Sequence, residues 1–211
     1  LYITNSAFTK NSSGLTAGAI NNTGNGTLRI SDSLISENYG FNGGAFYQNN
    51  GDTVITDTKI SDNTASRFGG AIYVNDGTLD IKDSLLSNNS TDAYGGAMYI
   101  NGGTVTIDNT NFEENKVTGN SIGGAIYNSN NGNLIIQNGS SFINNSVEKG
   151  AAGAINNLGK LTVDNTLFDG NSALNEGGGI DNSGTLTVTN STFSNNSSTC
   201  LLYTSDAADD K

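Results

Sequence analysis

Apolar residues recur along this chain in pairs, with one polar residue between them. Leu28-Arg29-Ile30, Leu79-Asp80-Ile81, Val105-Thr106-Ile107, Leu161-Thr162-Val163 and Leu186-Thr187-Val188 all follow this pattern. Positions two apart share one face of a strand, so each segment predicts a half-buried β-strand. Thr53-Val54-Ile55 occupies the same place with a weaker alternation and admits a bulge. A second column consists of an apolar residue followed three positions later by asparagine. Its pairs are Phe8/Asn11, Ile35/Asn38, Ile60/Asn63, Leu86/Asn89, Phe112/Asn115, Phe142/Asn145, Phe168/Asn171 and Phe193/Asn196. A third column is Gly-Gly-Ala-Ile-Tyr, complete at Gly69-Gly70-Ala71-Ile72-Tyr73 and Gly123-Gly124-Ala125-Ile126-Tyr127. Its second glycine falls at Gly18, Gly44, Gly70, Gly96, Gly124, Gly153 and Gly178, a period of about 26 residues.

A period this regular predicts a solenoid. No stretch carries a 3.6-residue apolar pattern over three turns, so the elements are strands separated by Gly-, Asn-, Asp- and Ser-rich turns. The predicted fold is all-β: a right-handed parallel β-helix of seven to eight coils, about 26 residues and three short strands each. Coils would stack at about 4.8 Å, each strand pairing with its own copy. Residues 1–199 form this repeat domain. Ile20, Phe46, Ile72, Met98, Ile126, Ile155 and Ile180 are uniformly apolar and are placed inside. The next column, Asn21, Tyr47, Tyr73, Tyr99, Tyr127, Asn156 and Asp181, has opposite parity and is placed outside.

Composition narrows the function classes. Only 34% of residues are apolar, which is low enough to raise disorder as a rival. The in-register columns argue against it. A net charge of −11 offers no basic groove for nucleic acid, and the absence of histidine removes the commonest general base and metal ligand. No run of 18 apolar residues exists, so no transmembrane helix and no direct membrane insertion are expected. The repeat stops at Cys200, the only cysteine. Residues 200–211 resemble an in-frame translation of a transposase mosaic-end sequencing adapter. On that reading the tail is non-native, the source is metagenomic, and the repeat domain is a fragment truncated at both ends.

The Gly-Gly-Ala-Ile and Phe-x-x-Asn motifs together resemble the repeats of chlamydial polymorphic outer-membrane proteins and related adhesin-like surface proteins. The resemblance covers residues 1–199. It implies a β-helical passenger or surface domain, extracellular or at the cell surface, associated with outer membrane or cell wall and often linked to adhesion.

Candidate sites follow from the columns. Asn11, Asn38, Asn63, Asn89, Asn115, Asn145, Asn171 and Asn196 read as a structural ladder, with side chains that stack and tolerate left-handed turns. Asp32, Asp57, Asp83, Asn109, Asn138, Asn165 and Asn190 form a second polar column, read as Asx turns. Its three aspartates, about 5 Å apart in adjacent coils, are a weak calcium candidate; no other metal and no cofactor is expected. Tyr47, Tyr73, Tyr99 and Tyr127 form a stripe that either binds a ligand, such as a glycan or a host-surface protein, or is an aromatic ladder. Phe68, Tyr94 and Ile122 end the variable loops, of which 116–122 and 146–151 are the longest, and read as covers for the stack. Lys59, Arg67, Lys82, Lys116, Lys149 and Lys160 are scattered, and Glu113-Glu114 point opposite ways on a strand, so no catalytic pair is expected. The favoured reading is a non-enzymatic adhesin-like surface domain. A purely structural stalk and a carbohydrate-active β-helix enzyme are the alternatives.

Overall fold

A computed structural model describes residues 1–199; the predicted adapter-like tail at 200–211 lies outside the described residues. The fold is an all-β parallel solenoid of about eight coils, with no helix among the described residues. Three sheets of 13, 8 and 7 strands run along it, and every strand pair is parallel. The first sheet takes two segments from each coil, the Ile-Tyr segment and the Leu-x-Ile segment. In two coils these fuse into the continuous strands Met98–Asp108 and Ile126–Gln137. The second sheet is built from the three-residue strands that begin the Phe-x-x-Asn motif, such as Leu85–Ser87 and Asn111–Glu113. The third uses the short segments after the asparagine, such as Thr64–Phe68 and Ser90–Thr91.

Register follows the sequence columns. Ile72 pairs with Phe46 and Met98, Tyr73 with Tyr47 and Tyr99, and Leu86 with Ile60 and Phe112. Side chains at equivalent positions therefore stack directly on one another. Phe112, Phe142, Phe168 and Phe193 form a stack with centroids 4.6–4.9 Å apart and planes within 10°. Phe46, Ile72, Met98, Ile126 and Ile155 are fully buried, while Ile20 and Ile180, nearer the two ends, pack against the core partly exposed.

Three details differ from the sequence reading. Asp52–Thr56 pairs in register with both neighbours and has no bulge, because Thr53 and Ile55 turn inward and Val54 outward as in the other coils. The register shifts lie instead between Ala65 and Phe68 and between Ile100 and Gly102. Left-handed backbone is also displaced by one residue. It falls not on the Phe-x-x-Asn asparagines but on the residue before each, as at Glu37 (φ 55°), Asp62 (60°), Asn88 (54°) and Glu114 (54°). The asparagine that follows is thereby turned inward, where its side chain can bond along the rod. Finally, Asn156 keeps the register of the outward column but is only 2% exposed. It is short, lies in register between Tyr127 and Asp181, and donates to the Asp181 carboxylate at 2.9 Å.

Each Gly-Gly corner brings coils into backbone contact. The first glycine of the pair takes positive φ at Gly43, Gly69, Gly95, Gly123 and Gly177. The second has no room for a side chain: a Cβ on Gly96 would run into the Gly124 carbonyl, and one on Gly70 into that of Gly96.

Candidate functional site

Two polar ladders fix the coils. In the first, each asparagine Oδ1 accepts both the backbone N–H and the side-chain Nδ2 of the asparagine one coil earlier. Asn63 N and Nδ2 each lie 3.0 Å from Asn89 Oδ1. Asn89 Nδ2 donates to Asn115 Oδ1 and to the Ile60 carbonyl, both at 3.0 Å. The pattern runs unbroken from Asn11 to Asn196. Asn63, Asn89, Asn115 and Asn145 are wholly buried with their bonding capacity filled, which leaves no group for a ligand.

A second ladder was missed in the sequence. The hydroxyls of Ser33, Thr58, Ser84 and Thr110 each donate to the carbonyl two residues back, at 2.7–2.9 Å. Each also accepts the N–H of its counterpart one coil earlier, at 3.1–3.4 Å. The signal was present as the Ser or Thr that follows every Asx residue of the column except Asn138, where Gly139 intervenes and Ser140 supplies the hydroxyl. The Asx residues themselves take left-handed backbone, φ 43–57° from Asp32 to Asn190. Asp32, Asp57 and Asp83 thus mark one corner. Asp83 accepts from Asn109 Nδ2 at 2.6 Å and lies 3.8 Å from Lys82 Nζ. Among the described residues, no three acidic, histidine or cysteine side chains gather as a metal centre.

The tyrosine stripe forms a closed stack. Tyr47, Tyr73, Tyr99 and Tyr127 lie 5.0–5.1 Å apart with planes within 11°. Their inner faces are therefore occupied by one another, and no sugar ring can lie on them. What reaches solvent is a row of ring edges and hydroxyls. Phe68, at the end of the strand Thr64–Phe68, packs 4.7 Å from Tyr99 and 6.2 Å from Tyr73, and Tyr94 4.9 Å from Tyr127, so both residues cover the stack. Burial, reinforced by the neighbouring phenols, raises the Tyr73, Tyr99 and Tyr127 hydroxyls above their ordinary pKa of 10.0; Arg67 opposes this at Tyr73 and Tyr99.

Beside the stack lies a group that composition gave no reason to single out. The Arg67 guanidinium sits 4.5 Å from the Phe68 ring centroid and 5.9 Å from that of Phe41. Arg67 is exposed and forms no ion pair among the described residues. Phe41 and Arg67 lie one period apart on the paired strands Tyr39–Asn42 and Thr64–Phe68 of successive coils.

A family model described as the Chlamydia polymorphic membrane protein repeat matches residues 57–75 and 165–183. Each match begins at a left-handed corner, Asp57 or Asn165, passes through the ladder asparagine, Asn63 or Asn171, and ends just past the Gly-Gly turn. No curated protein and no solved structure shows significant similarity to the chain.

Proposed function

We propose that this chain is part of a cell-surface protein and acts by presentation: a stiff rod holds an aromatic face and variable loops toward a glycan or a protein on another surface. The observation that carries this reading is the polymorphic membrane protein repeat, found twice on a parallel β-solenoid. The division of labour along the coil supports adhesion as the finer role. The asparagine, hydroxyl and phenylalanine columns are consumed by stacking, whereas the tyrosine edges, the exposed Tyr39 and Phe41 and the loops near them are free to meet a partner. The test is binding of the purified chain to glycan and extracellular-matrix arrays, with a Tyr73→Ser/Tyr99→Ser variant alongside. Retained fold with lost binding supports presentation through this face. Failure to bind any surface in the array favours the stalk.

A further inference from the structure

The neighbourhood of Arg67 combines three properties that are separate elsewhere on the rod. First, the guanidinium is held. It lies over Phe68 and near Phe41, and cation–π contact with two rings restricts an otherwise flexible side chain. Its own backbone is pinned, because the Arg67 carbonyl accepts from the Thr91 hydroxyl at 3.0 Å and from the Tyr94 N–H at 3.4 Å. The Phe68 carbonyl accepts from the Gly43 N–H at 2.8 Å. Second, the charge is unspent: Arg67 has no carboxylate partner among the described residues, although acidic residues outnumber basic ones 20 to 9. Third, the surroundings are aromatic and accessible. Tyr39 and Phe41, two apart on the strand Tyr39–Asn42, are 47% and 38% exposed, and the Tyr73 and Tyr99 rings pack against Phe68.

A planar cation with free N–H edges selects a carboxylate, which it can hold through two parallel hydrogen bonds. Exposed aromatic rings beside it select the apolar C–H face of a sugar. The spacing of the site favours a saccharide over a peptide. Its phenol rungs repeat every 5.0–5.1 Å, close to the length of one pyranose in an extended chain. An extended peptide advances about 3.3 Å per residue and would fall out of step. One isolated cation on a chain of net charge −11 suits one carboxylate among neutral sugars rather than a polyanion.

We propose that Arg67, bracketed by Phe41 and Phe68 and flanked by Tyr39, Tyr73 and Tyr99, is a binding site for a single carboxylated sugar within an otherwise neutral glycan. The guanidinium pairs with the carboxylate, Tyr39 and Phe41 support the ring, and neighbouring neutral sugars lie along the phenol row. This rests on the presentation reading and names its ligand class.

The experiment titrates the full chain, by isothermal calorimetry and by NMR chemical shifts, with sialyllactose, with a glucuronic acid–hexose disaccharide, with lactose and with an acidic peptide of matched charge. At least one of the two carboxylated saccharides is expected to bind at least about tenfold more tightly than lactose, with the preference removed in Arg67→Gln. Arg67→Gln lies on the surface and should keep the parent melting temperature, so lost binding is separable from lost fold. The assignment is overturned if neither saccharide binds, if Arg67→Gln binds as the parent does, or if the peptide binds as tightly as the saccharides. An array signal for a neutral glycan or matrix protein that survives Arg67→Gln would overturn this site while leaving presentation intact.

Discussion

Removing one rung of the asparagine ladder tests the account of what holds the coils together. Asn89 is wholly buried, as are its neighbours Asn63 and Asn115. In Asn89→Ala the Asn63 N–H loses Asn89 Oδ1, its acceptor at 3.0 Å. Asn63 Nδ2 keeps the Ile35 carbonyl, and Asn115 Oδ1 keeps the Asn89 N–H. One buried amide is thus orphaned, at about 1–3 kcal/mol, and three further bonds are lost at about 0.5 kcal/mol each or more. The expected loss is about 3 kcal/mol, read from denaturant melts and from faster hydrogen exchange at the Asn63 amide. Asn11→Ala is the matched control. Asn11 is exposed and its side chain makes one bond, to Asn38 Oδ1, so the loss should stay below about 1 kcal/mol. Asn89→Asp sharpens the test, because a carboxylate preserves shape and acceptor but removes both donors. Its second oxygen would face the Ile60 carbonyl and Asn115 Oδ1, so burial among acceptors raises the folded-state pKa. Folding would then be least impaired below the unfolded carboxylate pKa of about 4, and the defect would grow as pH rises through the folded value. Equal stability of Asn89→Ala and Asn11→Ala would refute the reasoning, because the ladder would then be a consequence of stacking and not a cause.

Other outcomes follow from single columns. Ala152 holds φ 63° in the place that glycine takes in most other coils, so Ala152→Gly should stabilise by about 0.5–1 kcal/mol, seen as a melting temperature higher by a few degrees. Gly96→Ala should fail to fold or melt far below the parent in circular dichroism, since its Cβ meets the backbone of Gly124 and Lys116; a melting temperature within a few degrees of the parent would contradict the close packing described. The raised pKa values of Tyr73, Tyr99 and Tyr127 mean that the folded state favours the protonated phenol. The associated stability is complete below pH 10.0 and is lost as pH rises through the higher folded values. Thermal melts across that range should show it, and Tyr73→Phe/Tyr99→Phe should flatten the curve.

The period, the inward column and the strand register were legible because each rests on repetition, and a parallel solenoid turns repetition in sequence directly into contact in space. Ile72 above Phe46 needs only the coil length. The corners were less legible. Left-handed backbone at Glu37 and Glu114 runs against local preference, since neither residue favours it, and only the bonding of the following asparagine explains it. Asn156 had the parity of an outward residue, but burial depends on the height of its neighbours. Arg67 was the least legible: it lies in the strand Thr64–Phe68, one period after Phe41, but the register shift between Ala65 and Phe68 decides which side chain meets Phe41, and a cation at this place in one coil forms no column.

The asparagine ladder has one further property. Every rung donates one side-chain N–H to the next asparagine, returns the other to a carbonyl of the preceding coil and accepts from the previous asparagine, so each coil presents the same hydrogen-bonding profile on its upper side and the complementary one below. The coil is in effect the unit cell of a one-dimensional crystal. Duplication or deletion of a whole cell leaves each donor opposite an acceptor and each phenylalanine opposite an apolar residue. An insertion of a few residues within a strand, by contrast, throws both neighbouring rungs out of step. Reach thus becomes a quantity that gene duplication can adjust without redesigning any contact, while the loops between the rungs remain free to change their chemistry.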